Sequence, residues 1–428
     1  MNTTIFAIDL GNKRVKMKSG RAEYVYPASY LNAENIATGG LGGQAVEGNQ
    51  MYQLPSDEDN TFVWGENLEA YNIPEKMIDT YTRTGRYTQK KAKRLLEFAI
   101  ARLALDYPEA AEKGLKVHLI LGVPTSDAHE QSKTLQLLKE LALLKHRVII
   151  NGVEVLVEVP NAEHVTILPQ YMGSAINAAY DDTLHTVPKY KDGRIGIIDI
   201  GGGTILVNVM NQMSPAPVGE ERFEGVQVLI KEIATKINVT KPFLIENLLR
   251  EGNASGHYIY RPNRNERDAR DVTREVVREI DNYTRFMIAP LITEAFPDFE
   301  TLDFVLVTGG GANIISKDAL KDEIGDYHFE RLVFVEDSEK ANVRGFYKAV
   351  QLLDAPELPS VADVAAPIAP VATPKREETP QKEVNLSSSQ SVDLAQLLSN
   401  VEKLNEKMSA LYAQTEKAEK ELKEFNGK

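Results

Sequence analysis

The sequence contains no cysteine, which excludes disulfides and thiolate metal sites. Histidine is scarce: the seven present are scattered, without HExxH or paired spacing, so no histidine metal centre is expected. No apolar run approaches the ~20 residues needed to span a bilayer, and no membrane partner is expected. The amino terminus, MNTTIFAIDLGN, lacks a basic stretch followed by an apolar one, so the expected compartment is the cytoplasm. Positive charge is in deficit, with 49 Lys and Arg against 62 Asp and Glu and a formal net charge of −13. Gripping DNA directly requires clustered cations, so any link to nucleic acid would be indirect, through a basic partner. The patches KKAKR (90–94) and RPNRNERDARD (261–271) read as solvated helix faces or subunit contacts.

What is present is a globular composition, 43% hydrophobic and 26% charged, in 428 residues, too long for one ordinary core. Residues 1–353 alternate strand and helix candidates. TIFAIDL (4–10), VHLILGVP (117–124), GIIDI (196–200), ILVNVM (205–210), FVLVTG (304–309) and RLVFVE (331–336) are short β-branched or apolar runs. Amphipathic periodicity predicts helices over 87–107, 130–144, 169–180, 226–237 and 269–296. The class is α/β.

Composition changes after Asp354. Residues 355–391 are rich in Pro, Ala and Ser and lack aromatics, which predicts a linker, partly polyproline II. From Leu394 to Phe425 apolar positions alternate spacings of three and four, a heptad stripe weakened by Thr415 and Ala418. The segment 392–428 is expected as a coiled coil that associates with itself or a helical partner; a single amphipathic helix folded onto the globular part is the other reading.

Three glycine turns carry the chemistry. In IGIIDIGGGTILVNVM (195–210) a strand ending at Asp199 meets Gly201, Gly202, Gly203 and Thr204 before a return strand. FAIDLGNKRVKMK (6–18) repeats that order with Asp9, Gly11, a polar turn containing Asn12, and Lys16. FVLVTGGGANIIS (304–316) runs from a strand into Gly309, Gly310 and Gly311 and then towards a helix. Neither GxGxxG nor GxxxxGK[ST] occurs, so Rossmann and P-loop sites are excluded on spacing. Two facing Asp-Gly hairpins can surround a triphosphate with backbone N–H groups, with Asp9 and Asp199 as hard oxygen ligands for a bridging Mg²⁺. Lys16 adds positive charge, and the third turn suits a flat base and ribose.

In this order, AIDLGNKRVK, IDIGGGT and VTGGGA resemble the phosphate 1, phosphate 2 and adenosine motifs of the actin/Hsp70/sugar-kinase superfamily, and within it the bacterial actin-like ParM/StbA plasmid-segregation ATPases. RYT (86–88) and LILGVP (119–124) are also similar to ParM-like proteins. The resemblance covers roughly residues 1–353. It implies an actin-like fold of two similar domains around a nucleotide cleft: 1–180, completed by 337–354, and 181–336. It further implies ATP or GTP with Mg²⁺, slow hydrolysis coupled to self-association into filaments, and segregation of plasmid or phage DNA through a ParR-like basic adaptor.

The position matching the family's hydrolytic residue is Gln170, opening ILPQYMGSAINAAY (167–180). An amide is no general base near neutral pH but can orient a water, so slow hydrolysis is expected. Glu224 and Lys231 match the region that contributes to ribose and base. Two rival functions stay open: a small-molecule kinase of the same superfamily, disfavoured by an amide where a carboxylate base is needed, and a scaffold filament with little hydrolysis that acts through its tail.

Overall fold

Short β-branched runs bounded by glycine or polar turns pair here into two sheets. The computed structural model describes residues 3–36, 46–71, 73–80, 86–128, 132–222, 224–239, 242–262, 266–296 and 298–354. The linker (355–391) and heptad (392–428) expectations lie outside the described residues.

The strands of the first sheet are β1 (Thr4–Leu10), β2 (Arg14–Lys18), β3 (Glu23–Pro27), β4 (Ser29–Asn32), β5 (Asn49–Gln53), β6 (Thr61–Gly65), β7 (Ile78–Asp79), β8 (Leu115–Val123), β9 (His146–Ile150), β10 (Val153–Glu158) and β11 (Val165–Pro169). Their order is β3-β2-β1-β8-β10-β9-β5-β6-β4-β7, with β11 also on β8. The second sheet is built from β12 (Arg194–Ile200), β13 (Ile205–Asn211) and β14 (Ser214–Arg222), while β15 (Ile259–Tyr260) and β16 (Arg270–Asp271) form a separate ribbon. With β17 (Phe304–Thr308) and β18 (Leu332–Phe334) the second order becomes β14-β13-β12-β17-β18.

The two sheets share a plan. Each starts as an antiparallel three-strand meander whose first strand then takes a parallel neighbour: β1 pairs with β8, and β12 pairs with β17. Buried parallel strands tolerate continuous apolar sequence. Accordingly β8, LKVHLILGV, is buried at every residue but Lys116.

The helices are α1 (Lys90–Ala104), α2 (Glu109–Glu112), α3 (Lys133–Ala142), α4 (Gln170–Ala179), α5 (Pro188–Lys191), α6 (Gln227–Lys236), α7 (Pro242–Ser255), α8 (Thr273–Tyr283), α9 (Ala289–Ala295), α10 (Lys317–Phe329) and α11 (Ala341–Asp354). The helix expected over 269–296 is interrupted: a π turn at Thr284–Ile288 separates α8 from α9. Pro290, which has no N–H and would strike the carbonyl four residues back, accounts for the widened turn. Periodicity alone does not register that local clash.

One apolar core lies under the first sheet around Trp64, Phe62, Phe98 and Tyr52, and a second under the other sheet around Ile198, Val207, Val305 and Ile233. A third joins them. It combines Ala7 and Ile120 of the first sheet with Ile195, Ile197 and Leu306 of the second, and packs Met172, Ile176, Phe346 and Val350 of α4 and α11 between. α4 and α11 cross where Gly173 meets Gly345, since a Cβ on Gly345 would fall on the Gly173 carbonyl oxygen. α11, last in the chain order among the described residues, packs back on β1, β8 and β2.

Candidate functional site

The strand ends that the two meanders share open onto one cavity of about 610 Å³. It is lined by Asp9, Gly11, Asn12 and Lys16 from the first hairpin and by Asp199, Gly201, Gly202, Gly203 and Thr204 from the second. Gly309, Gly310 and Gly311 after β17, and Gln170 at the start of α4, complete the set from the motifs. Residues separated by up to 302 positions in sequence thus share one surface because β1, β12 and β17 all end there.

The register explains the pairing at its floor. Asp9 on β1 lies opposite Lys16 on β2, which brings Nζ to 3.2 Å from Asp9 Oδ2. Gln170 Nε2 donates to the other oxygen, Oδ1, at 2.7 Å. Asp9 is 1% exposed, so both carboxylate oxygens are answered by side chains rather than by bulk water. For Lys16, burial alone would lower the ammonium pKa, but the nearby carboxylates of Asp9, Glu339 and Asp199 hold it above its ordinary value.

Asp199 lies at the corresponding place on β12, seven residues before Leu206 as Asp9 is seven before Lys16. An apolar residue therefore stands where the first hairpin has its lysine. Asp199 accepts instead from Asn342 Nδ2 on α11 at 2.7 Å. Burial raises its pKa, the Asn342 hydrogen bond and Lys16 lower it, Asp9 raises it, and the net direction is upward. A buried carboxylate so disposed favours an arriving cation. Among the described residues no group of three or more His, Cys, Asp or Glu could hold a metal by itself. Asp9 and Asp199, both buried and both lining the cavity, are the carboxylates that could hold a hard cation there. Gly309 has φ +84°, and a Cβ there would collide with Asp199 Oδ1, so the third glycine turn must be bare for the strand ends to close around the carboxylate.

Further lining residues escape motif reading. α7 presents Glu246, Leu249, Arg250 and Asn253 on one helical face, at i, i+3, i+4 and i+7. Glu246 pairs with Lys13 of the first hairpin at 3.4 Å, and Arg250 grips Glu339 with two nitrogens, at 2.8 and 3.1 Å. The buried Arg86, in the RYT step, also lines the cavity and donates to the carbonyls of Leu10 and Gly11 and to Thr80 Oγ1, pinning the Asp9–Asn12 turn. That motif was visible in sequence, but its role was not. Asn342 gave no signal, being 143 residues from the carboxylate it holds.

The structure does not bring Glu224 and Lys231 to the cavity: both are exposed and neither lines it. On α6 the residue that faces it is Ile230, and Lys231 is turned about 100° away by helical geometry. Val226, Ile230, Leu249 and Ile314 make that wall apolar, able to cover a flat ring.

Two family models match the chain: the actin-like proteins N-terminal domain over residues 7–173, and the Alp7A C-terminal domain over residues 194–331. Comparison with curated proteins finds no match. Among solved structures, the apo psk41 ParM protein is 22% identical with a TM-score of 0.62, covering 83% of this chain and 98% of that one. Actin-like protein Alp7A is 14% identical with a TM-score of 0.65, covering 83% and 98%. A 15-stranded ParM filament from Clostridium botulinum is 16% identical with a TM-score of 0.61, covering 81% and 99%. At these identities the structures establish the fold, which is actin-like.

Proposed function

Because the chain matches the actin-like proteins N-terminal domain over residues 7–173 and the Alp7A C-terminal domain over residues 194–331, we propose that it binds a nucleoside triphosphate with Mg²⁺ in the cavity, assembles into filaments, and hydrolyses the nucleotide slowly. In this reading residues 1–180 with 337–354 form one domain, and 181–336 the other. The filaments segregate plasmid or phage DNA through a basic adaptor similar to ParR, the chain's own −13 charge keeping it off DNA.

The observation that carries this reading is the convergence of three glycine turns, two buried aspartates, Lys16 and Gln170 on one cavity. The glycine turns would receive the phosphates, with Lys16 as a counter-charge. Asp9 and Asp199 would hold the Mg²⁺, directly or through water; bound there, the ion would screen the phosphate charge and polarise the terminal phosphoryl group. Gln170 would orient a water towards that group, and its hydrogen bond to Asp9 ties its amide to the metal side of the site. The apolar wall of Val226, Ile230, Leu249 and Ile314 would cover the base.

The test is negative-stain microscopy beside phosphate release, with the full chain and Mg-ATP or Mg-GTP. Filaments that need nucleotide, with phosphate release trailing assembly, are expected. Rapid turnover of a small-molecule acceptor without assembly would favour a kinase instead.

A further inference from the structure

At the cavity wall, four buried polar side chains close a ring that links two neighbouring strands of the second sheet to both crossed helices. Asn342 Nδ2 donates to Asp199 Oδ2 at 2.7 Å. The Asn342 oxygen accepts from Ser174 Oγ at 2.6 Å and from Ser174 N–H at 3.1 Å. Since Ser174 Oγ gives its proton to Asn342, the 2.9 Å contact with Thr308 Oγ1 is filled by the Thr308 hydroxyl proton. Thr308 is the β17 residue directly beside Asp199 on β12, which closes the ring. Asp199, Thr308, Ser174 and Asn342 are all at most 7% exposed. Burying four polar groups is costly unless each is answered, and here each has a partner.

Ser174 lies one helical turn beyond Gln170 on α4, and Gln170 donates to Asp9. The two carboxylates are therefore each held by an amide from the start of a different helix, Gln170 on α4 and Asn342 on α11, and Ser174 locks those helices together. The Gly173–Gly345 contact lets the two backbones come close enough for the lock.

We propose that Asn342 is a positioning residue: with Ser174 and Thr308 it fixes Asp199 relative to Gln170, so that the metal-side carboxylate and the water-orienting amide are set by one device. This rests on the nucleotide reading given above. Asn342 lines the cavity edge, yet its hydrogen-bonding groups are engaged by Asp199 and Ser174, so it acts through them. Misplacement of catalytic groups by about 1 Å costs on the order of 10²-fold in rate, whereas affinity spread over many phosphate contacts changes little.

The test compares full-length wild type with Asn342→Ala, Ser174→Ala, the double variant, and Val343→Ala as a packing control from the same helix and the joining core. Thermal melting, Mg-nucleotide affinity and single-turnover phosphate release are measured on each. Wild type that binds no Mg-nucleotide would defeat the nucleotide reading itself. Granted binding, Asn342→Ala and Ser174→Ala are each expected to slow hydrolysis about tenfold or more, with affinity changed less than about threefold. The double variant should be no slower than the worse single one, as expected of residues acting as a unit. Val343→Ala should lower the melting temperature while hydrolysis stays within about twofold. If Val343→Ala slows hydrolysis as much as Asn342→Ala does, the ring is only packing and the proposal fails. Unchanged hydrolysis in a folded Asn342→Ala protein overturns it equally.

Discussion

Asp9 and Asp199 occupy equivalent strand positions yet have different surroundings, and this sets what each residue change should do. Asp9 has a lysine and an amide against its two oxygens; Asp199 has one amide and a raised pKa. Asp199→Ala is expected to abolish Mg-dependent hydrolysis and strongly weaken nucleotide-dependent assembly, because a hard-cation site loses an oxygen ligand. Normal phosphate release by the folded variant would remove Asp199 from the site. Gln170→Ala should slow hydrolysis about 10²-fold while leaving nucleotide binding largely intact, since orienting a water acts on the transition state. Its filaments should persist longer. Parallel loss of binding would assign Gln170 a structural role.

Among the elements, α4 and α11 are the most constrained by their crossing. Gly345→Ala would drive a methyl group into the Gly173 carbonyl, where backbone of one helix meets backbone of the other and no rotamer change relieves the clash. A loss of about 3 kcal/mol is expected from urea unfolding, the upper range for overpacking; an unchanged midpoint would mean the helices are not held in this contact. Next to Gly345 on α11, Arg344 grips Glu23 of β3, which also takes a hydrogen bond from Lys18 at 2.8 Å. Burial alone would raise the Glu23 pKa, but those two cations lower it to about 2 from an ordinary 4.5. A depressed carboxylate stabilises the fold above the unfolded pKa and loses that contribution as pH falls towards the folded value. Glu23→Gln should therefore destabilise by about 1 kcal/mol near neutrality, after discounting for solvent screening, with the difference vanishing as pH falls from 4.5 towards 2. Urea midpoints collected across that range would reveal it, and a constant offset would deny Glu23 this role.

At the scale of the whole molecule, the cavity depends on two sheets being held by one helix pair, and the segment beyond Asp354 is expected to work outside it. The linker expected over 355–391, about 35 residues at ~3.1 Å each when polyproline-like, would reach past its own subunit. Heptad segments weak as free peptides gain from being presented many at a time on a filament. Deleting residues 355–428 should preserve nucleotide-dependent single filaments while changing their bundling, length or adaptor binding, as read by sedimentation and microscopy. Leu404→Asp with Leu411→Asp should reproduce the deletion. Loss of nucleotide binding on deletion would instead put the tail in the folded core.

The sequence by itself determined those features whose physics is local. β1 was legible to the residue, as Thr4–Leu10, because a β-branched run ends at a carboxylate and a glycine. The lining glycines were legible because three glycine turns, each following a strand and two of them an aspartate, fit one task together, and Asp9, Lys16 and Asp199 came with them. Short strands such as β4 and β7 were not, since four or two residues carry too little alternation to register. Lys231 was a candidate through the family's ribose and base region, and that placement along the chain says nothing about which way α6 turns its faces. Only the tertiary structure decided that Ile230 faces the cavity, that Arg86 pins the first turn, and that Asn342 answers Asp199 from across 143 residues. Those contacts arise from sheet register and from two helices touching at Gly173 and Gly345, and such long-range packing leaves no periodic trace in the chain.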